Sequence, residues 1–171
     1  MTGMGTGLQI VEIERLSAGS GERLRSIRLR ALTDAPDAFG TTLEEATAEP
    51  RESWECQLEQ LATYVATAGG CDIGLARGAR HDHAIDTGYL LSMWVAPDAR
   101  RQGIAAKLID AIVDWARTEG LNRLVLDVAE NNLPAIALYT HKGFVPNGTL
   151  GTLPPPREHI REIQLEMWLR S

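Results

Sequence analysis

Cysteine is scarce in this chain, with two among 171 residues. Cys56 and Cys71 stand far apart and form no CxxC pair. Neither a disulfide scaffold nor a zinc site is expected, and both read as free, buried thiols. Long apolar runs are also missing: none approaches the roughly 20 residues of a membrane span. The first residues, Met1 to Gly7, are glycine-rich and lack the apolar core of a signal peptide. The chain is therefore expected to be cytoplasmic, without a membrane partner, and to begin with a flexible tail over residues 1–7. Basic residues are not in excess either. The net charge is −6, which opposes a nucleic-acid partner, because such binders show a basic footprint. Neither GxxxxGK(S/T) nor GxGxxG occurs, so a nucleotide triphosphatase or a dinucleotide enzyme has no motif to stand on. His81, Asp82, His83 and Asp86 lie together in a polar stretch but fit no zinc spacing, and no metal is expected.

What remains is the composition of an ordinary globular protein, 44% hydrophobic and 23% charged. Its length suits one domain over residues 1–171. Leu8 to Arg15 alternates enough to predict a strand, and Ser17 or Ser20 can cap a helix with Leu24, Ile27, Ala31 and Leu32 on its apolar stripe. Asp34 to Thr47 reads as an irregular loop. A second helix is predicted from Pro50 to Leu61. Thr63 to Ala68 and Cys71 to Arg77 form a hairpin through Gly69-Gly70, and Gly78 to Asp86 reads as a polar loop. Tyr89 to Val95 suits a buried strand. Ile104, Leu108, Ile112 and Ala116, with Ile109 and Val113 alongside, mark one face of a helix that stops at Gly120. Strands follow at Arg123 to Val128, from Phe144-Val145, and at Ile163 to Leu169. A helix capped by Asn132 and ended by Gly143 lies between the first two of these, and Gly151 to Pro156 is a loop. This order predicts an α/β domain with one mixed sheet.

The stretch from Met93 to Lys107 is the most informative. It reads as strand, turn and helix start, and Arg100, Arg101, Gln102 and Gly103 fall at the helix N-terminus. Unpaired backbone N–H groups and the helix dipole favour an anion there. Gly103 and Ala105 leave the backbone open to a ligand, and the two arginines add charge. Arg100-Arg101-Gln102-Gly103-Ile104-Ala105 resembles the Gln/Arg-x-x-Gly-x-Gly/Ala pyrophosphate loop of the GNAT superfamily of acyl-CoA-dependent N-acetyltransferases. Asn132 to Tyr139, followed by Gly143-Phe144, resembles that family's Asn-x-x-Ala-x-x-Leu-Tyr and Gly-Phe signature. The resemblance is strong from about Tyr89 to Gly148.

The resemblance implies a GNAT-like α/β domain, with a mixed central β-sheet flanked by helices and splayed central strands. Acetyl-CoA would be the cosubstrate. Its pantetheine arm would lie in the splay, bonded to the backbone near Trp94 and Val95, and its diphosphate on Arg100 to Ala105. Asn132 is a candidate CoA ligand and also a plain helix cap. Tyr139 is the candidate general acid for the leaving thiolate, against a simple place in the core. The acceptor would be a primary amine, on a small molecule or a protein, and nothing opposes a homodimer. The family's usual glutamate on the central strand is missing from Tyr89 to Val95. A base must come from elsewhere through water, with Glu44, Glu45 and Asp127 as candidates and Ser92 as a weaker relay, or bulk water serves. The same gap supports an alternative, a non-catalytic acyl-CoA-binding or sensing module on this fold. Finally, Asp34, Asp37, Glu44, Glu45, Glu49, Glu52, Glu55 and Glu59 face only Arg51 in the same stretch. That balance favours a cationic acceptor, or else a wet helix face.

Overall fold

Helix α4 (Ile104–Thr118) buries Ile104, Leu108, Ile109, Ile112, Val113, Trp115 and Ala116. Their three- and four-residue spacing makes one continuous apolar stripe. That stripe needs a flat apolar partner, and the sheet supplies it. In the computed structural model, which describes residues 9–170, the strands are β1 (Glu12–Arg15), β2 (Ala62–Ala68), β3 (Cys71–Arg80), β4 (Thr87–Val95), β5 (Arg123–Ala129), β6 (Val145–Thr152) and β7 (Arg161–Trp168). They form one seven-stranded sheet in the order β1-β2-β3-β4-β5-β7-β6. Every neighbouring pair is antiparallel except β4 and β5. α1 (Gly21–Asp34), α2 (Leu43–Ala48), α3 (Arg51–Gln60) and α5 (Leu133–His141) complete the helices. This is the expected mixed α/β architecture. No helix among the described residues is long and apolar enough to cross a membrane. The tail expected over residues 1–7 lies outside the described residues.

Two features of the sheet position the site. First, α4 sits unusually close to β3, because glycines face it. A Cβ on Gly78 would meet the Trp115 ring at 2.6 Å, and one on Gly74 would meet Leu108 at 3.0 Å. Second, β4 and β5 pair only from Thr87↔Arg123 to Tyr89↔Val125. Beyond these the two parallel strands separate, as the resemblance implied, while β5 stays paired with β7 to its end. β4 is bent by a bulge. Its register with β3 shifts between Leu75↔Trp94 and Arg77↔Leu91, and Ser92 sits at φ 57°. An extra residue in one strand bends it and raises its twist.

The structure corrects several expectations. Asp34 to Thr47 is not wholly irregular. A 3₁₀ turn spans Pro36–Ala38 and α2 follows, held by a capping box in which the Thr42 hydroxyl accepts from Glu45 N–H and the Glu45 carboxylate accepts from Thr42 N–H. Ser20 occupies the N-cap of α1 but makes no side-chain cap. Glu55 on α3 does that work, accepting from the N–H groups of Gly19 and Gly21 at 2.9 and 2.7 Å. The first strand starts at Glu12, with Leu8 outside the described residues, β3 runs on to Arg80, and β6 runs through Gly151 to Thr152. Cys56 and Cys71 are free but exposed rather than buried. Cys56 is two residues from buried Trp54, so it lies on the opposite side of α3, and Cys71 opens β3 right after the Gly69-Gly70 turn.

Gly78→Ala should test the closeness of α4 to β3. Forcing a methyl into the Trp115 ring is overpacking, which costs about 1–3 kcal/mol. Urea unfolding should show a lower midpoint with an unchanged m-value, and an unchanged midpoint would mean α4 can shift away freely.

Candidate active site

The separation of β4 and β5 opens a cavity of about 890 Å³. Leu90 to Met93 of β4 and Leu126 to Ala129 of β5 form its facing edges. Asn132 and Tyr139 also line it, so the second sequence motif does converge on the splay. The Asn132 side chain caps α5, accepting from Ala135 N–H at 3.3 Å, so its cap reading stands in the structure. Tyr139 is buried, with its ring edge-on to Phe144 at 5.8 Å between centroids. The Gly-Phe pair that follows the motif is therefore part of what holds the tyrosine. Gly143 makes the turn at φ 106°, and Phe144 N–H returns to the Tyr139 carbonyl at 3.0 Å. Burial pushes the Tyr139 phenol well above its ordinary range, which keeps it protonated at neutral pH.

The loop from Arg100 to Ala105 lies beside the cavity and not in its lining. Gly103 takes φ 77° and Arg101 takes φ 64°. No side chain caps α4 and no acidic residue stands in its first turn. A Cβ on Gly103 would touch nothing within 4 Å. The first turn of α4 thus offers open backbone donors and an unopposed dipole, which is what a diphosphate needs. Arg101, Gln102 and Gly103 are exposed, Ala105 is half-buried, and the Ile104 side chain is committed to the core.

The side chains of Arg100 and Trp94 are engaged within the fold. The Arg100 guanidinium is bonded to the Asp34 carboxylate and, through Nε, donates to the Val95 carbonyl at 2.9 Å. The Trp94 indole N–H also donates to Asp34, at 2.9 Å. Asp34 therefore ties the end of α1 to the end of β4 and to the loop. The indole N–H of Trp94, with Arg100 adding its bond and charge, holds the Asp34 carboxyl below its usual range against the effect of burial. What Trp94 can offer a ligand is its backbone, since its side chain is buried and already bonded.

The acidic segment is likewise committed in part. Asp34 is bound as described, Asp37 lies 3.9 Å from Arg157, Glu45 closes the α2 capping box, Glu49 bonds Ser53, and Glu55 caps α1. Arg157 also donates to the carbonyls of Pro36 and Gly40 at 2.6 and 2.9 Å. It clasps the Pro36–Gly40 segment to the loop before β7, and both segments roof the cavity. His81 stacks on Tyr89 at 4.9 Å, and its Nδ1 accepts from His83 N–H at 3.0 Å.

Sequence reasoning missed Glu162. Among the carboxylates proposed as bases, Asp127 lines the cavity, whereas Glu44 and Glu45 do not. Glu162 on β7 lines it as well. Burial, with the nearby charge of Asp127, raises the Glu162 carboxyl above its usual range, and Arg157 opposes the rise. Gln164, paired with Asp127 across the ladder, donates to it at 3.1 Å. Ser92 accepts from Arg77 Nε at 3.0 Å. A signal for Glu162 is present in the polar alternation of Glu162, Gln164 and Glu166 along the last strand, but nothing in the sequence says that this strand borders the splay.

Residues 26–144 match the model of the acetyltransferase (GNAT) family. The chain belongs to that family. Among curated GNAT relatives, it is 33% identical over 125 residues to the mycothiol acetyltransferase of Stackebrandtia nassauensis, covering 71% of this chain and 40% of that protein. It is 30% identical over 94 residues to the aminoglycoside N(6')-acetyltransferase type 1 of Salmonella typhimurium, covering 52% of this chain and 65% of that one. The chain thus spans less than half the length of the mycothiol enzyme. The fold is shared with solved GNAT structures. An acetyltransferase from Streptococcus pneumoniae superposes with a TM-score of 0.80 at 19% identity, covering 94% of this chain and all of that one (100%). The yncA protein of Salmonella typhimurium, solved with its cofactor acetyl-CoA, gives a TM-score of 0.77 at 16% identity, with 95% of each chain covered.

The GNAT loop generates a direct test. A ligand at about one hundred times its dissociation constant adds roughly 2.7 kcal/mol to the folded state, so CoA should raise the melting temperature. Gly103→Glu puts a negative side chain where the diphosphate should lie. Its Cβ meets nothing within 4 Å, and the left-handed φ costs only about 1–2 kcal/mol. The variant should stay folded and lose the CoA shift. A full shift in this variant would place the phosphates elsewhere.

Proposed function

We propose that the protein transfers the acetyl group of acetyl-CoA to a small-molecule primary amine, by direct attack in a ternary complex. One observation carries this reading: Tyr139 is buried in the cavity between the separated ends of β4 and β5, beside an open helix N-terminus. The diphosphate sits on the backbone of Gly103 to Ala105, with Arg101 and Gln102 alongside. The pantetheine arm follows the unpaired edge of β4 past Val95 and Trp94 toward Tyr139. Asn132 borders the same channel.

The amine nitrogen attacks the thioester carbonyl, the C–N bond forms, and the C–S bond breaks. The thiolate takes a proton from the Tyr139 hydroxyl, which is protonated at neutral pH, and the proton that the nitrogen sheds as the amide forms restores the phenol. The ammonium of the acceptor must first lose a proton. Glu162, with Asp127 behind it, is the base we assign, acting directly or through water. Its raised carboxyl is a stronger base than an exposed one. A β4 without a glutamate is what favours a silent acyl-CoA-binding module, and a carboxylate from β7 supplies what that strand lacks. Relatives named for mycothiol and aminoglycosides support a small-molecule acceptor.

Tyr139→Phe should lower kcat by about 10²–10⁴ while CoA binding stays intact. The ring and its packing on Phe144 are kept, so wild-type turnover would reduce Tyr139 to a core residue. The pH profile tests Glu162. A base must be deprotonated, so kcat/KM should climb with pH through an apparent pKa above the usual carboxylate range. Glu162→Gln should remove that ascending limb and lower the plateau. If the variant keeps the limb unchanged, the base is another group.

A further inference from the structure

Among the described residues, Arg28 and Arg77 are the only charged side chains that are buried, at 5% and 7% exposure. Both line the active-site cavity. Neither has a carboxylate partner among the described residues. Arg77 donates to two neutral acceptors, Ser92 Oγ at 3.0 Å and Gln57 Oε1 at 2.8 Å. Arg28 Nη1 is buried without any hydrogen-bond partner. Its guanidinium lies 4.6 Å from the centroid of the Phe39 ring, which forms another part of the cavity wall. Burial lowers Arg77 to about 9, with the charge of Arg28 adding to the effect, and burial lowers Arg28 to about 10. Both stay charged at neutral pH.

A guanidinium out of water needs hydrogen bonds and a counter-charge. Here two like charges share one cavity, and neither guanidinium is paired with a carboxylate among the described residues, although Asp37, Asp127 and Glu162 line the same cavity. Arg28 even occupies the apolar stripe of α1, among buried Leu24, Ile27, Ala31 and Leu32, where packing alone would favour a neutral side chain. A ligand that brings an oxyanion would supply the counter-charge that neither arginine has. Guanidinium donors match planar carboxylates and tetrahedral oxyanions. CoA brings phosphates, but the loop that suits them is not part of this lining. The same cavity carries Asp127 and Glu162, so it holds acidic as well as basic groups.

We propose that Arg28 and Arg77 bind an oxyanion on the acetyl acceptor, which makes the acceptor an amino-acid-like zwitterion. Its carboxylate, or a phosphonate in the same position, meets the arginines, and its amine turns toward Glu162 and Asp127. The identity of the reacting amine rests on the acetyltransferase reading above, whereas the anion site rests on the arginines themselves. This zwitterion keeps the cationic amine end that the acidic composition favoured and adds an anionic end that it did not.

The test pairs L-amino acids with their own carboxamides, together with aminophosphonates, in a thiol-release assay with acetyl-CoA. The amide has the more easily deprotonated amine, so intrinsic reactivity favours it. The acids or phosphonates should nevertheless exceed the amides in kcat/KM by tenfold or more, and the better of the two names the oxyanion. Arg28→Gln should collapse this ratio toward one, chiefly through the KM of the acid, and Arg28→Lys should restore part of it. CoA-induced thermal shifts should be the same in both variants and the wild type. A parallel arm measures thermal shifts by acids and amides in the presence of CoA, without turnover. An Arg28-dependent shift by acids alone, with no amine acetylated, would keep the anion site and sink the transfer reaction. Amides that match the acids in both rate and shift overturn the anion site, and so does a panel in which no acid gives an Arg28-dependent shift. The acid–amide comparison on the wild type needs no variant to fold.

Discussion

The ladder between β4 and β5 stops after Tyr89↔Val125, and the rest of the site follows from that. Parallel strands normally continue side by side, buried on both faces. Here the Ser92 bulge bends β4 away while β7 holds β5 in place. The inner edges of both strands are left with backbone donors and acceptors that no strand satisfies. Buried backbone groups of this kind need partners. A ligand with amide bonds along its length, as pantetheine has, suits such a gap better than an apolar one. Helix α4 follows β4 in the chain, and in the proposed binding mode its open terminus and the open strand edges serve one ligand.

The sheet order explains how a base can reach the gap without standing on β4. β7 lies between β5 and β6, and its antiparallel register sets Glu162 opposite Ala129 and Gln164 opposite Asp127. Residues two apart on a strand share a face, so Glu162, Gln164 and Asp127 form one polar patch on the β5–β7 side. Burial, and then the nearby charge of Asp127, raises the basicity of Glu162, with Arg157 opposing. The opposite wall is built from α1, β3 and the segment at Phe39. Arg28 and Arg77 come from α1 and β3, and Asp127 and Glu162 from β5 and β7, while Asp37 adds a carboxylate beside Phe39.

Local signals in the sequence carry much of the fold. The stripe of α4, the Gly69-Gly70 hairpin, the Asn132 cap and the loop at Gly103 all appear where residue patterns place them. They are short-range features, set by helix period, turn chemistry and capping. The helix α2 is equally local, since Thr42-x-x-Glu45 spells a capping box, but the loop-like residues around it mask the signal. Long-range features are not legible. That Glu55 caps α1, that Asp34 binds Trp94 and Arg100, and that Glu162 borders the splay depend on elements far apart in sequence meeting in space. Arg28 is an intermediate case. An arginine four residues after Leu24 and next to Ile27 sits on the apolar stripe, and residue spacing alone marks this break in the pattern.

Helix α1 links the two halves of the site, and its charges show what the fold is and is not arranged to satisfy. Arg30 and Asp34, four residues apart, share the side that meets the end of β4. Asp34 bonds Trp94 and Arg100, and the Arg30 guanidinium lies 5.4 Å from the Trp94 ring centroid. Arg28 turns instead into the buried stripe and the cavity. Coulomb interactions weaken with effective dielectric, so a counter-charge matters most for the buried arginine and least for the exposed one. The chain does the reverse: half-exposed Arg100 has its carboxylate, and buried Arg28 has none among the described residues. Replacing a buried, unpaired charge by an apolar residue is often neutral or stabilising, so burying Arg28 against the Phe39 ring is not in itself a gain in stability. The proposed acceptor, which brings its own negative charge, would supply the partner that Arg28 lacks in the fold.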